Sequence, residues 1–191
     1  AGWGDVYITE EDIHRAFKSL QGRIKQLPPM YSAIKLAGLP LYKLARRGLE
    51  VRRREREVEI YELKVTKIAL PQVYFYVRCS KGTYIRSVVA EVGRLLKCGA
   101  HLTQLRRLSC GIFKIEHAIT LKEFKALGKD RIRERILTLS QALASLPKVR
   151  VGSELSNSIF HGRQPTILDF NGRVPSGIKK GETVRLTTED D

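Results

Sequence analysis

Two alternating runs and one helical stripe dominate the apolar positions of this chain. Val73-Tyr74-Phe75-Tyr76-Val77-Arg78 has period two and is aromatic and β-branched, which predicts a strand. Ile85, Val88, Val89, Val92, Leu95 and Leu96 recur at helical spacing and predict a helix with one buried face. The intervening Cys79-Ser80-Lys81-Gly82-Thr83-Tyr84 therefore forms a strand-to-helix corner. Gly82 permits its tight turn, and Thr83 is the expected N-cap. Upstream, Val58, Ile60, Leu63 and Val65 predict a long strand that loses alternation near Glu62, a sign of a bulge. Pro71 separates the two strands, so they should pair as a hairpin.

The remaining pattern fills in around these elements. Thr9-Glu10-Glu11-Asp12 opens a helix with a capping box; Ile13, Ala16, Phe17 and Leu20 form its apolar face, and Gly22 ends it. Pro28-Pro29 forces an extended segment between Ile24 and Lys35. Leu41 to Gly48 reads as a short helix closed by glycine. Residues 99–108 turn the chain back, and Ser109 to Ile115 is expected to be a strand. Thr120 caps a helix, and Ile132 to Leu146 continues helical up to Pro147.

Pro147 marks the expected domain boundary, giving domains at residues 1–146 and 147–191. Beyond it Val149, Val151, Ile159, Ile167, Val174 and Val184 are split by Gly152, Gly162, Gly172, Gly177 and Gly181. Short strands with glycine turns predict a small β module. At about 45 residues it is too short to hold a good core alone. The fold class is α+β, a mixed or antiparallel sheet with helices, followed by an incomplete β module.

Charge changes the picture more than composition does. The 191 residues carry 35 Lys and Arg against 20 Asp and Glu, a net +15, which points to a polyanionic partner, nucleic acid first. The excess is clustered. Arg78, Lys81, Arg86, Arg94, Lys97, Arg106 and Arg107 face only Glu91 within residues 78–107. Lys43, Arg46, Arg47, Arg52, Arg53, Arg54 and Arg56 outnumber Glu50, Glu55 and Glu57 within residues 43–57. No run reaches the ~20 apolar residues of a membrane span, and Ala1-Gly2-Trp3-Gly4-Asp5 lacks a signal peptide's apolar stretch. Cys79, Cys98 and Cys110 are odd in number and without a C-x-x-C pair, as expected of reduced thiols in a cytoplasmic protein. His14, His101, His117 and His161 show no metal-ligand spacing.

The corner itself breaks a local rule. Lys81 and Arg86 stand at a helix N-terminus, where the macrodipole disfavours cations by ~0.3–1 kcal/mol, and no acid lies within residues 79–90. Arg86 and Tyr84 fall on opposite shoulders of the apolar stripe. Two readings stay open: a solvated arginine beside a packed tyrosine, or an arginine that meets a carboxylate or phosphate supplied from elsewhere.

Three stretches together resemble the TruB family of bacterial tRNA pseudouridine synthases. They are Gln26-Leu27-Pro28-Pro29-Met30-Tyr31-Ser32-Ala33-Ile34-Lys35, residues 79–86, and Cys98-Gly99-Ala100-His101-Leu102-Thr103-Gln104-Leu105-Arg106-Arg107-Leu108. Leu41-Tyr42, Ala45-Arg46 and Gly48 fit the same order. The likeness covers residues 9 to about 147, while Leu143, Leu146-Pro147 and Asn171-Gly172 are similar to the start of the family's C-terminal PUA RNA-binding module.

This resemblance implies isomerisation of a flipped uridine in the T-loop of tRNA (position 55), with no cofactor and no metal. The family's catalytic aspartate sits in a Gly-x-Leu-Asp-Pro-x-Ala-Thr-Gly motif that this sequence does not contain. The chain is therefore expected to be the C-terminal portion of such an enzyme, inactive alone and monomeric, with the missing N-terminal portion as its partner. By the resemblance, Arg86 orients the absent aspartate, Tyr84 touches the uracil and Leu105 lines its pocket. Lys81, Arg106 and Arg107 meet phosphates of the T-arm stem-loop, and Arg52, Arg53 and Arg54 belong to an arm laid against the tRNA. A non-catalytic RNA-binding or RNA-chaperone module is the alternative, and a ribosome-associated structural protein a further one.

Overall fold

A computed structural model describes residues 7–170 and 177–188. Expectations placed on residues 1–5, Asn171, Gly172, Val174 and residues 189–191 lie outside the described residues. The chain divides into two compact units, Ala1–Leu105 and Arg106–Asp191.

In the first unit, helix α1 (Glu10–Ser19) starts at the expected capping box. The Thr9 hydroxyl accepts from the Asp12 amide at 3.1 Å, and the Asp12 carboxylate accepts from the Thr9 amide at 3.2 Å. The helix closes at Leu20, and Gly22, with φ of 101°, opens a strand instead. That strand, β1 (Gly22–Gln26), pairs antiparallel with β4 (Arg56–Ala69), which pairs antiparallel with β5 (Gln72–Cys79). A two-residue hairpin, β2 (Lys35–Leu36) with β3 (Leu39–Pro40), leads into helix α2 (Leu41–Arg46). Helix α3 (Ile85–Leu95) follows β5 across the corner.

The bulge expected near Glu62 is present as a register shift between Ile60 and Glu62, with a second between Val65 and Lys67. Helices α1 and α3 cover one face of the sheet. Ile13, Ala16, Phe17 and Leu20 pack with Ile60, Leu63, Val88 and Val92, and the rings of Phe17 and Phe75 lie 5.2 Å apart. Ile60 is fully buried. The predicted stripe on α3 holds at Val88, Val89 and Val92, but Leu95 is exposed; Leu96 takes the inward position. Residue Gly93 has a physical reason to be glycine. A Cβ there would stand 2.1 Å from the Ala100 amide nitrogen, because residues 98–100 cross directly over the helix.

The second unit is built from shorter pieces. The strand expected over residues 109–115 is a hairpin, β6 (Ser109–Cys110) and β7 (Phe113–Lys114), folded at Gly111 with φ of 59°. Helix α4 (Leu121–Ala126) begins at the expected Thr120, through a capping box with Glu123. The helical segment expected over residues 132–146 is two helices, α5 (Lys129–Arg135) and α6 (Leu139–Ala142). The break falls where Thr138 forms a new capping box with Gln141. Beyond Pro147, β8 (Lys148–Arg150) pairs in parallel with β9 (Arg185–Thr187). Between them Ile159 lies in helix α7 (Ser153–Phe160) and Ile167 in a 3-10 turn (Ile167–Phe170), not in strands. Leu155 and Ile159 are four apart, and Glu154 sits at the positive helix end, so the local pattern favours α7 over a strand.

Candidate functional site

The corner between β5 and α3 is tied to the chain on three sides. Its turn is anchored to β4: the Ser80 amide donates to the Glu59 carbonyl at 2.8 Å, and the Ser80 hydroxyl accepts from the Glu59 amide at 3.0 Å. Gly82 has φ of 84°, the left-handed value that the turn requires. The expected N-cap at Thr83 is not used. Thr83 turns back and donates its hydroxyl to the Ser80 carbonyl at 2.9 Å, and Tyr84 becomes the capping residue, without a side-chain cap bond of its own.

The cap comes instead from β1. Gln26, only 6% exposed, accepts from the Tyr84 amide at 2.8 Å and donates to the Tyr84 carbonyl at 3.1 Å. The double-proline segment then runs along the start of α3. Ser87 donates its hydroxyl to the Leu27 carbonyl at 3.1 Å, and Arg86 donates one guanidinium nitrogen to the Tyr31 carbonyl at 2.7 Å. That segment is the third side, and Arg53 holds it in turn, donating to the Pro28 carbonyl at 3.0 Å and to Glu50 at 3.0 Å.

This geometry distinguishes the residues singled out from the sequence. Tyr84 is half-buried and held through both its backbone groups. Arg86 is exposed, aimed by Tyr31, and pairs with no carboxylate among the described residues. One guanidinium bond is thus committed, and further donors of the planar fork are left for an anion. Lys81 is exposed at the turn, and Leu105 is 62% exposed on the returning segment. Arg106 and Arg107 are exposed in the second unit. The three arginines of residues 52–54 separate: Arg52 and Arg54 are exposed, while Arg53 is largely covered and donates through Nη1 to Pro28 and through Nη2 to Glu50. Within the arm expected over these residues, Arg53 thus makes an internal tie that Arg52 and Arg54 do not.

Sequence reasoning passed over Gln26, Ser87 and Gly93. Each had a signal: Gln26 is a polar residue in phase with inward Ile24, Ser87 stands in the first turn of α3, and Gly93 is a costly helix-interior glycine beside the apolar stripe. Among the described residues, no group of three or more His, Cys, Asp or Glu is placed to hold a metal ion. None of the described helices is long and apolar enough to cross a membrane.

The profile of the TruB family pseudouridylate synthase N-terminal domain matches residues 4–85, and that of the tRNA pseudouridylate synthase B C-terminal domain matches residues 86–144. The tRNA pseudouridine synthase B of Geobacter sulfurreducens is 39% identical over 181 residues, 94% of this chain and 60% of that protein. The same enzyme of Clostridium kluyveri is 43% identical over 82% of this chain and 53% of its own length. The chain thus spans 53–61% of the length of the curated relatives it matches. Among solved structures, a Cbf5-Nop10-Gar1 complex gives a TM-score of 0.70 at 29% identity, over 96% of this chain and 53% of the other. An H/ACA RNP bound to a substrate RNA containing 2'-deoxyuridine gives 0.67 at 26% identity, over 95% and 51%. Profiles on both sides of the corner and relatives along most of the chain agree: this chain belongs to the TruB family of pseudouridylate synthases.

Proposed function

We propose that this chain carries the arginine-bearing half of a tRNA pseudouridine synthase site, which isomerises uridine to pseudouridine in the T-loop (position 55). The observation that carries this reading is Arg86, fixed by the Tyr31 carbonyl at 2.7 Å and unmatched by any carboxylate among the described residues. An arginine aimed by one bond, at a helix start without acids, is arranged to receive a carboxylate from another part of the enzyme. In this reading the catalytic aspartate lies outside these 191 residues, and Arg86 holds it ionised and oriented. Tyr84 contacts the flipped uracil, and Leu105 lines the pocket. The reaction breaks the C–N glycosidic bond and joins the base to the same sugar carbon through carbon. The product is an isomer of the substrate, so the step consumes no oxidant and no second substrate.

Lys81, Arg52, Arg54, Arg106 and Arg107 serve as phosphate contacts for the T-arm in a cytoplasmic, monomeric enzyme. Residues 1–146 form the C-terminal portion of the catalytic domain, and residues 147–191 begin a PUA-like module. The end of the C-terminal family profile at residue 144 supports that boundary. The test is conversion of uridine in a T-arm transcript by the full-length protein, read by chemical labelling of pseudouridine and primer extension. Product confined to the T-loop is expected. Tight binding without product would favour the non-catalytic RNA-binding alternative.

A further inference from the structure

We infer that Gln26 is a positioning residue for the Tyr84–Arg86 corner, acting through the backbone of Tyr84; the inference rests on the functional reading above. Helix α3 begins without a side-chain cap from its own N-terminal residue and with no acid in its first turn. The usual means of satisfying its leading amide are therefore missing. Gln26 supplies them from a different strand, 58 residues earlier in sequence. Its carbonyl oxygen accepts from the Tyr84 amide, and its amide nitrogen donates to the Tyr84 carbonyl, at 2.8 and 3.1 Å.

A primary amide offers a donor and an acceptor in one plane. The paired bonds fix both backbone groups of Tyr84 and so set where its ring points and where Arg86, two residues on, begins. The Tyr84 carbonyl also accepts from the amides of Ser87 and Val88 at 3.0 and 3.2 Å, so Gln26 holds the acceptor on which the first helical turn closes. The site of action is buried. Gln26 stands on the inward side of β1 in register with Arg56, two residues after Ile24. No residue nearer in sequence duplicates it, because Thr83 is engaged with Ser80. The Ser87–Leu27 and Arg86–Tyr31 bonds continue the same seam, so slack at Gln26 would pass directly into the guanidinium.

The experiment compares Gln26→Met, which keeps length and burial but removes both bonds, with Gln26→Glu, which keeps shape and the acceptor but loses the donor when ionised. Two readouts are taken. The first is amide hydrogen exchange of the peptide spanning residues 80–86 in the 191-residue chain. The second is single-turnover pseudouridine formation by the full-length protein at saturating T-arm RNA, alongside its RNA dissociation constant. Gln26→Met is expected to speed exchange at Tyr84 at least tenfold while leaving the β4–β5 hairpin unchanged. It should slow turnover by one to two orders of magnitude with RNA affinity within threefold, and Gln26→Glu should fall between.

A purely structural residue would lower thermal stability and affinity together, without this separation of rate from binding. Turnover within threefold of wild type in a folded Gln26→Met protein, or unchanged exchange at Tyr84, overturns the inference. If Gln26→Met does not fold, Gln26→Glu decides by the same two readouts. A wild-type protein that makes no pseudouridine removes the functional reading instead, and exchange at Tyr84 still decides whether Gln26 holds the corner.

Discussion

The two compact units handle their apolar residues in opposite ways. The first packs both helices α1 and α3 onto one sheet face, burying Ile13, Phe17, Ile60 and Val88, and ties its β5–α3 corner with side-chain bonds to β1, β4 and the double-proline segment. The second buries Val149 and Val151 but leaves Leu121, Leu139, Phe160 and Leu168 between 78% and 88% exposed. Both units use the same local devices: α1 and α4 each start with a Thr-based capping box. Local caps therefore do not make a core. What separates the units is a long β hairpin on which helices can lay an apolar stripe, and only the first unit has one among the described residues. A site that must hold an arginine within hydrogen-bond tolerance belongs on the rigid side of that divide.

The contrast can be broken by mutation. Ile60→Ala empties a fully enclosed position and should cost about 2–5 kcal/mol. Leu139→Ala, at a position 81% exposed, should change stability by less than about 0.5 kcal/mol. Urea unfolding of the 191-residue chain followed by circular dichroism checks both. Equal costs at the two positions would mean that Leu139 is covered and that the units are not so different.

A smaller effect separates the arginines within residues 52–54. Arg52→Ala with Arg54→Ala should weaken binding to T-arm RNA and flatten its salt dependence, by ~0.7–0.9 in log–log slope for each phosphate no longer neutralised. Arg53→Ala should leave that slope in place and instead loosen the Pro28 segment, since Arg53 already donates to Pro28 and Glu50. Binding titrations across a salt series distinguish the two. A flattened slope in Arg53→Ala would return that residue to the RNA surface.

The smallest effect concerns acid. Hydrogen bonds from the Thr9 hydroxyl, then from its amide, hold the Asp12 carboxyl below its usual range. Its folded pKa is depressed, so its contribution to α1 is complete above the unfolded value of about 4. It is lost as pH falls through the lowered folded value. Thermal melts of wild type and Asp12→Asn should therefore keep a constant gap above about pH 4 and converge as the pH falls below it. A gap independent of pH would show that the carboxylate charge is not what stabilises the box.

Much of the first unit is legible in the sequence because its signals are periodic and local. Alternation in β5, the stripe on α3, the capping box of α1 and the break near Glu62 each follow from a few consecutive residues. Strand β1 is not legible, because its inward side is only Ile24 and Gln26 before the prolines interrupt it. The cap on α3 lies at Tyr84 rather than Thr83 for a related reason: the group that fills it comes from 58 residues away, and spacing rules see only neighbours. Arg53 cannot be told from Arg52 and Arg54 by charge, since burial alone separates them. Beyond Pro147, frequent glycines suggest strands where the i,i+4 pair Leu155 and Ile159 builds α7.

If the corner is half of a site, it should turn over only when another segment brings it a carboxylate. The most direct test is a pseudouridine assay on T-arm RNA, using the purified 191-residue chain alone and then mixed with a separately made N-terminal portion bearing the aspartate motif. No product is expected from the chain alone, and product is expected from the mixture. The mixture made with Arg86→Ala should lose about two to three orders of magnitude in rate, as expected for a buried carboxylate left unpaired. Arg86→Lys should rescue little of it, because a lysine lacks the planar fork. Stoichiometric product from the 191-residue chain alone, or an Arg86→Ala mixture that turns over normally, would contradict the half-site.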